Sequence, residues 1–181
     1  MLEVILLDER NGFAMDSYLQ RLQDGITSAI AGMDVAALTR HPEGKWCAAQ
    51  VLEHLYLTYE GSVKGFERCL QEGRPLVHAA TLKDRVGTLL VTGLGYFPEG
   101  RKAPERTVPR GMAAEEVVKA ITAKLASMDE LITQCETRFG RSTRILDHPV
   151  LGPLTARQWR KFHLAHAQHH VKQILSLRAM S

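Results

Sequence analysis

A chain of 181 residues with 45% hydrophobic content can bury a sizeable core and suits one domain, residues 1–181, with 1–10 as an N-terminal extension. Its 23 lysines and arginines are nearly offset by 20 acids, leaving a net charge of +3 with little aromatic interleaving, so a nucleic-acid interface is not expected. The three cysteines, Cys47, Cys69 and Cys135, form no CxxC pair and read as reduced, buried thiols of a cytoplasmic protein.

The N-terminal stretch has an apolar run of only four residues, Val4 to Leu7, flanked by acids instead of a basic leader. No signal peptide or membrane span is expected there. From Met15 the residues Tyr18, Leu19, Leu22, Ile26, Ala29, Ile30 and Met33 recur at helical spacing, predicting one long amphipathic helix that ends before His41-Pro42-Glu43-Gly44. Trp46 opens a second helix of about seven turns, with Val51, Leu52, Leu55, Tyr59, Phe66 and Leu70 on its core face and Gly73-Arg74-Pro75 as its stop. His54 lies on the margin of that face, in line with the small residues Cys47, Thr58, Gly61 and Gly65. Such a stripe serves close helix packing or a ligand cavity, and either use turns it toward another part of the protein.

Thr81 and Asp84 form a capping-box pattern ahead of Leu82, Val86, Leu89 and Leu90, a short third helix ending at Gly93. Residues 95–111 hold three prolines, three glycines and four cations, which predicts a long loop. Its Arg101, Lys102, Arg106 and Arg110 are candidates for contacting a substrate. Glu115 and Glu116 then suit a helix start, and Val117, Ile121, Leu125, Met128, Leu131, Ile132, Cys135 and Phe139 carry the strongest helical period in the chain, closed by Gly140. Residues 146–155 read as a turn-rich approach to the last helix, which Thr155 and Gln158 cap. No alternating strand pattern appears. The expected fold is therefore all-α, an antiparallel four-helix bundle with a short extra helix and a long loop between its second and third helices.

Four of the eight histidines, His163, His166, His169 and His170, fall within eight residues of that last helix. Residues four apart on a helix lie about 40° apart around the axis, so His166 and His170 can face one point, whereas His169 stands about 100° away from His170. Trp159, His163, His166, His170 and Leu177 share a face with bulky apolar residues, which turns these histidines inward. Inward histidines serve either as hydrogen-bonded core residues or, in an i, i+4 pair, as two ligands of a metal centre that needs a third from another helix. If the second and last helices are neighbours, His54 supplies that third ligand.

The stretches Trp46…Val-Leu-Glu-His54-Leu and His166-Ala-Gln-His169-His170-Val-Lys-Gln173 resemble the DinB/YfiT-like superfamily of metal-binding four-helix bundles. His148-Pro-Val-Leu-Gly-Pro-Leu-Thr-Ala-Arg-Gln-Trp159 resembles its DUF1569-type branch. The resemblance implies a divalent transition metal, zinc or nickel, held by His54, His166 and His170, with His169 as a neighbour, and it implies a homodimer. Members with assigned activity use low-molecular-weight thiols, so the resemblance suggests a thiol-dependent transferase or hydrolase acting on a small electrophile. The alternative is a non-catalytic, metal-stabilised binding or stress-response dimer. Ferritin-like di-iron chemistry is disfavoured because the helical histidines lack a Glu three positions upstream, and no nucleophile-elbow pattern supports a serine hydrolase.

Overall fold

The computed structural model describes residues 14–93, 95 and 102–179. The chain is mostly helical, with helices α1 (Ser17–Ile30), α2 (Val35–Thr39), α3 (Ala48–Glu72), α4 (Leu82–Thr88), α5 (Ala114–Phe139) and α6 (Ala156–Ala179). Between α5 and α6 lies a two-stranded antiparallel sheet, β1 (Arg144–His148) and β2 (Gly152–Thr155). The N-terminal extension 1–10 lies outside the described residues.

Local chemistry accounts for most helix ends. The Asp16 carboxylate accepts the Tyr18 N–H at 2.8 Å, and Asp34 does the same for Ala37 ahead of α2. The Cys47 N–H donates to Gln50 at 3.1 Å to open α3, and Thr155 and Gln158 exchange hydrogen bonds at the start of α6, as their spacing predicts.

α3 packs along α5 and α1 packs along α6. Leu52, Leu55, Tyr59 and Phe66 of α3 meet a core shared with Val117, Leu125, Met128 and Ile132 of α5, Leu19 and Leu22 of α1, and Ile174 of α6, all buried. Each such side chain contributes about 1.5–3 kcal/mol relative to leaving it in water. A buried cation crosses this core: Arg160 of α6 reaches Glu136 at 2.7 Å, Thr133 at 2.8 Å and Asp129 at 3.2 Å, all on α5.

The structure departs from the sequence reading in four places. The first predicted helix is broken: α1 stops at Ile30, Gly32 turns the chain, and α2 forms a separate short helix capped by Asp34. The approach to α6 is a β-hairpin, so the protein is not purely α-helical. Its register pairs Leu146 with Leu154 and His148 with Gly152, and Leu76 adds a parallel bridge to Leu146. The hairpin turn depends on Gly152 at φ +68°, where a Cβ would also lie 2.5 Å from the Asp84 side chain.

The small-residue stripe of α3 does not face one partner. Gly65 admits Leu146 of β1, where an added Cβ would stand 2.5 Å from a leucine methyl, while Gly61 is exposed with nothing near it. Finally, α4 and the π-helical turn Leu89–Gly93 have the predicted cap and extent, but Leu82, Val86 and Leu89 point outward, and the segment is held to the body by Thr88, whose hydroxyl donates to the Leu151 carbonyl at 3.0 Å. No helix among the described residues is long and apolar enough to cross a membrane.

Candidate metal centre

His54 sits one turn and a half into α3, while His166 and His170 stand one turn apart on α6. The three side chains are nearly closed off from solvent, at 5%, 7% and 7% exposure. Nε2 of His166 lies 3.3 Å from Nε2 of His54 and 3.0 Å from Nε2 of His170, and one ligand atom from each residue falls within 4.8 Å of the others. Two nitrogens bound to one tetrahedral zinc at its usual bond length stand about 3.3 Å apart. The observed separations match that figure, so this buried group could hold a metal ion.

Hydrogen-bond partners identify which nitrogens are free to bind one. Nδ1 of His54 donates to the Thr107 carbonyl at 2.8 Å, and Nδ1 of His170 donates to Oε1 of Gln173 at 2.7 Å. A carbonyl or amide oxygen can only accept, so both Nδ1 atoms carry the proton and both Nε2 atoms present a lone pair to His166. The Gln173 amide nitrogen lies 3.4 Å from Nε2 of His169, which turns the amide oxygen toward His170.

Burial keeps this cluster neutral. Desolvation, then the neighbouring His54, drive His170 down to about 3 despite the opposing bond to Gln173. Desolvation also lowers His54 and drives His166 well below the ordinary imidazole range, with the other histidines adding to the effect on His166. Neutral imidazole is the form that ligates metals.

Aromatic rings wall the centre. The Phe162 ring is parallel to His166 at 5.6 Å between centroids, and the Trp46 ring lies 5.3 Å from His54. His163, fully buried one turn before His166, is not part of that group and has Ser62 at 3.2 Å and the Tyr59 and Trp159 rings beside it. It is a core histidine, pushed down to about 3 by desolvation. His169 is partly exposed and reaches the centre through Gln173 and the His170 ring.

The loop ahead of α5 closes one side. It contains a 3-10 turn, Glu105–Thr107, whose Thr107 carbonyl is the His54 partner, and it is tied to α3 again by Glu53, whose carboxylate accepts N–H groups from Arg110, Gly111 and Met112 at 2.7, 3.1 and 3.1 Å. Of the loop cations, Arg101 lies outside the described residues, while Lys102, Arg106 and Arg110 are exposed. The charge of Arg106 reaches His148, which desolvation first and that charge second push down to about 4. His148 packs on Phe162, with 4.2 Å between ring centroids. Cys47 stands at the N-cap of α3 and is not part of the cluster.

Sequence reasoning brought the three histidines together but missed what orients them. Thr107 acts through its backbone and leaves no residue-type signal. Gln173, one turn after His170 on the same helix, and Glu53, next to His54, were visible as polar residues beside ligands, and that adjacency was the available clue.

The fold and centre define a mostly helical protein with a buried three-histidine group bridging two of its long helices. The model of the family described as protein of unknown function (DUF1569) matches residues 21–176, which spans every one of these elements except the first few residues of α1 and the last of α6, and the chain belongs to that family. No curated protein and no solved structure matches the chain.

Proposed function

We propose that the protein is a divalent-metal-dependent member of the DinB-like superfamily, in which α1, α3, α5 and α6 serve as a four-helix bundle and His54, His166 and His170 hold one zinc or nickel ion. The observation that carries this reading is the convergence of Nε2 atoms at 3.0 and 3.3 Å, with the His54 and His170 lone pairs fixed by Thr107 and Gln173. Both lone pairs point toward the His166 Nε2, a convergence that a shared cation would turn into ligation by all three. Three neutral ligands leave the ion its full charge and an open position, where it would lower the pKa of a bound thiol or water.

On this reading the protein is an enzyme that activates a low-molecular-weight thiol, or water, against a small electrophile, as a transferase or hydrolase. His54, His166 and His170 bind the ion, Thr107 and Gln173 keep two of them in the ligating tautomer, and the Phe162 and Trp46 rings keep bulk water from the centre. Arg106, with Lys102 and Arg110, would favour a substrate carrying a second negative group. Three free, buried thiols suit a reducing compartment such as the cytoplasm, and a homodimer is the assembly proposed.

A second reading is favoured by the low exposure of all three ligands: a structural centre in a non-catalytic binding or stress-response dimer. Elemental analysis is expected to find close to one zinc or nickel per chain after loading, lost in His54→Ala, His166→Ala and His170→Ala and kept in His78→Ala. Metal-free wild type after loading with either ion would end both readings. Cobalt-loaded protein separates them, because an open position gives a visible spectrum that responds to small thiols and a closed one does not.

A further inference from the structure

We propose that Glu53 is a positioning residue for the metal centre, acting through the loop 104–112 to hold the Thr107 carbonyl against His54. The inference rests on the three-histidine reading above and adds a residue that touches neither ion nor substrate.

Glu53 and His54 are consecutive on α3 and both grip the same loop. His54 holds it at Thr107 and Glu53 holds it at Arg110, Gly111 and Met112. Around the first grip the described loop residues make short-range bonds: the Thr107 N–H and hydroxyl both return to the Pro104 carbonyl, at 2.9 and 3.0 Å, and the Val108 N–H returns to Glu105 at 3.2 Å. Those bonds shape the turn, which packs on α3 with Thr107 buried. The Glu53 carboxylate ties the far end of the loop to the same helix.

That carboxylate is 3% exposed, and the partners that satisfy it are three successive backbone N–H groups. Such a concave set of donors is an anion nest. It requires Gly111 at φ +94°, a conformation that other residues rarely adopt. A carboxylate desolvated this far is costly unless fully hydrogen-bonded, so the loop cannot drift from α3 without exposing an unsatisfied charge. The Thr107 carbonyl is thereby held 2.8 Å from His54 Nδ1, which sets both the tautomer and the ring plane of that ligand.

A purely structural role predicts that Glu53 only fastens the start of α5, whose N-cap Ala113 has no side-chain cap. The two roles separate in the metal's own signals. In full-length protein titrated with cobalt against a chelator, Glu53→Gln is expected to weaken binding about tenfold or more and to shift the visible bands, as loss of an outer partner does. Ile132→Val, a buried trim elsewhere on α5, is expected to change neither. In wild type, zinc should slow hydrogen exchange at the Arg110, Gly111 and Met112 amides and slow tryptic cleavage after Arg106, and Glu53→Gln should lose most of that protection.

Unchanged affinity and bands in Glu53→Gln would overturn the proposal and leave the centre intact. Wild type that binds no cobalt would overturn the centre and this role together. Should Glu53→Gln fail to fold, Gly111→Ala strains the nest from the loop side, and the wild-type exchange measurement needs no variant: amides indifferent to zinc would reject the coupling.

Discussion

Arg160 and His166 stand within two turns of each other on α6 and are about equally buried, yet the two polar clusters they belong to are built on opposite terms. The guanidinium is answered on every side by the chain itself: Glu136, Thr133 and Asp129 accept from its nitrogens, and Asp16 adds a carboxylate at 3.7 Å. The histidine cluster contains no carboxylate, and its three Nε2 atoms converge. A buried polar group that its own chain completes is a structural tie. One whose imidazole nitrogens converge with no acid among them could take a cation as its complement.

The largest effect that tests this contrast is on Arg160. Arg160→Ala takes the buried cation from Asp129 and the part-buried Glu136, and an interior ion network broken on one side costs about 3–5 kcal/mol. Urea unfolding should show that loss equally with and without zinc. A loss under about 1 kcal/mol would mean that the acids relax into solvent, and the tie would be no tie.

The histidine cluster should behave in reverse. At about a hundred times its dissociation constant, zinc should stabilise wild type by about 2.7 kcal/mol, and His166→Ala should remove that gain. In the presence of chelator, His166→Ala should cost less than Arg160→Ala does. A variant as damaged without metal as with it would make His166 an ordinary core residue.

Acid separates the clusters next. His163 is folded in its neutral form with its pKa driven to about 3, so protons bind the unfolded chain first as pH falls below the ordinary 6.5. The folded pKa is depressed, hence its contribution is present above 6.5 and is lost progressively as pH drops toward 3. At pH 5 that single group accounts for about 2 kcal/mol. Denaturation of chelator-treated protein at pH 8 and pH 5 should show a gap at least that large, and His163→Leu should narrow it. Equal stability at the two pH values would mean that His163 takes up its proton without unfolding.

The contrast between these clusters explains what could be read from the residues alone. α3, α5 and α6 were legible because each keeps a helical apolar period over many turns between a cap and a stop, and the His166/His170 pair because four-residue spacing on a helix is geometry. His54 was legible as a residue on a margin, and its meeting with the pair needed the resemblance. The hairpin was not: its strands are four and five residues long, carry Pro153 and a register break, and are fixed by distant partners such as Leu76 and the Trp159 indole, which donates to the Leu146 carbonyl at 3.1 Å. The outward stripe of α4 shows a further limit, since periodicity marks a face without saying which side of the helix is covered. The answers to the polar groups were also illegible where they are backbone atoms, as with Thr107 and the Glu53 nest.

The smallest effect lies at the surface, where a third polar cluster joins α4 to β1. His78 donates to Asp147 at 2.7 Å and stands 3.3 Å from Asp84, with its side chain half exposed. The hydrogen bond to Asp147, then the one to Asp84, raise the His78 pKa above its ordinary 6.5, while Asp84 is held low chiefly by Thr81 and so stays ionised whatever His78 does. A raised folded pKa means that the tie is fully present below 6.5 and fades as pH climbs through the higher folded value. His78→Ala should therefore lower thermal stability measurably at pH 5.5 and hardly at all at pH 9, the opposite pH sense to His163. Solvent screens this pair, so its effect should be the smallest of the series and should shrink further in high salt. A deficit that persists at pH 9, or that ignores salt, would show that the tie works as a neutral hydrogen bond and that the surface cluster, like the one around Arg160, is satisfied without any change of charge.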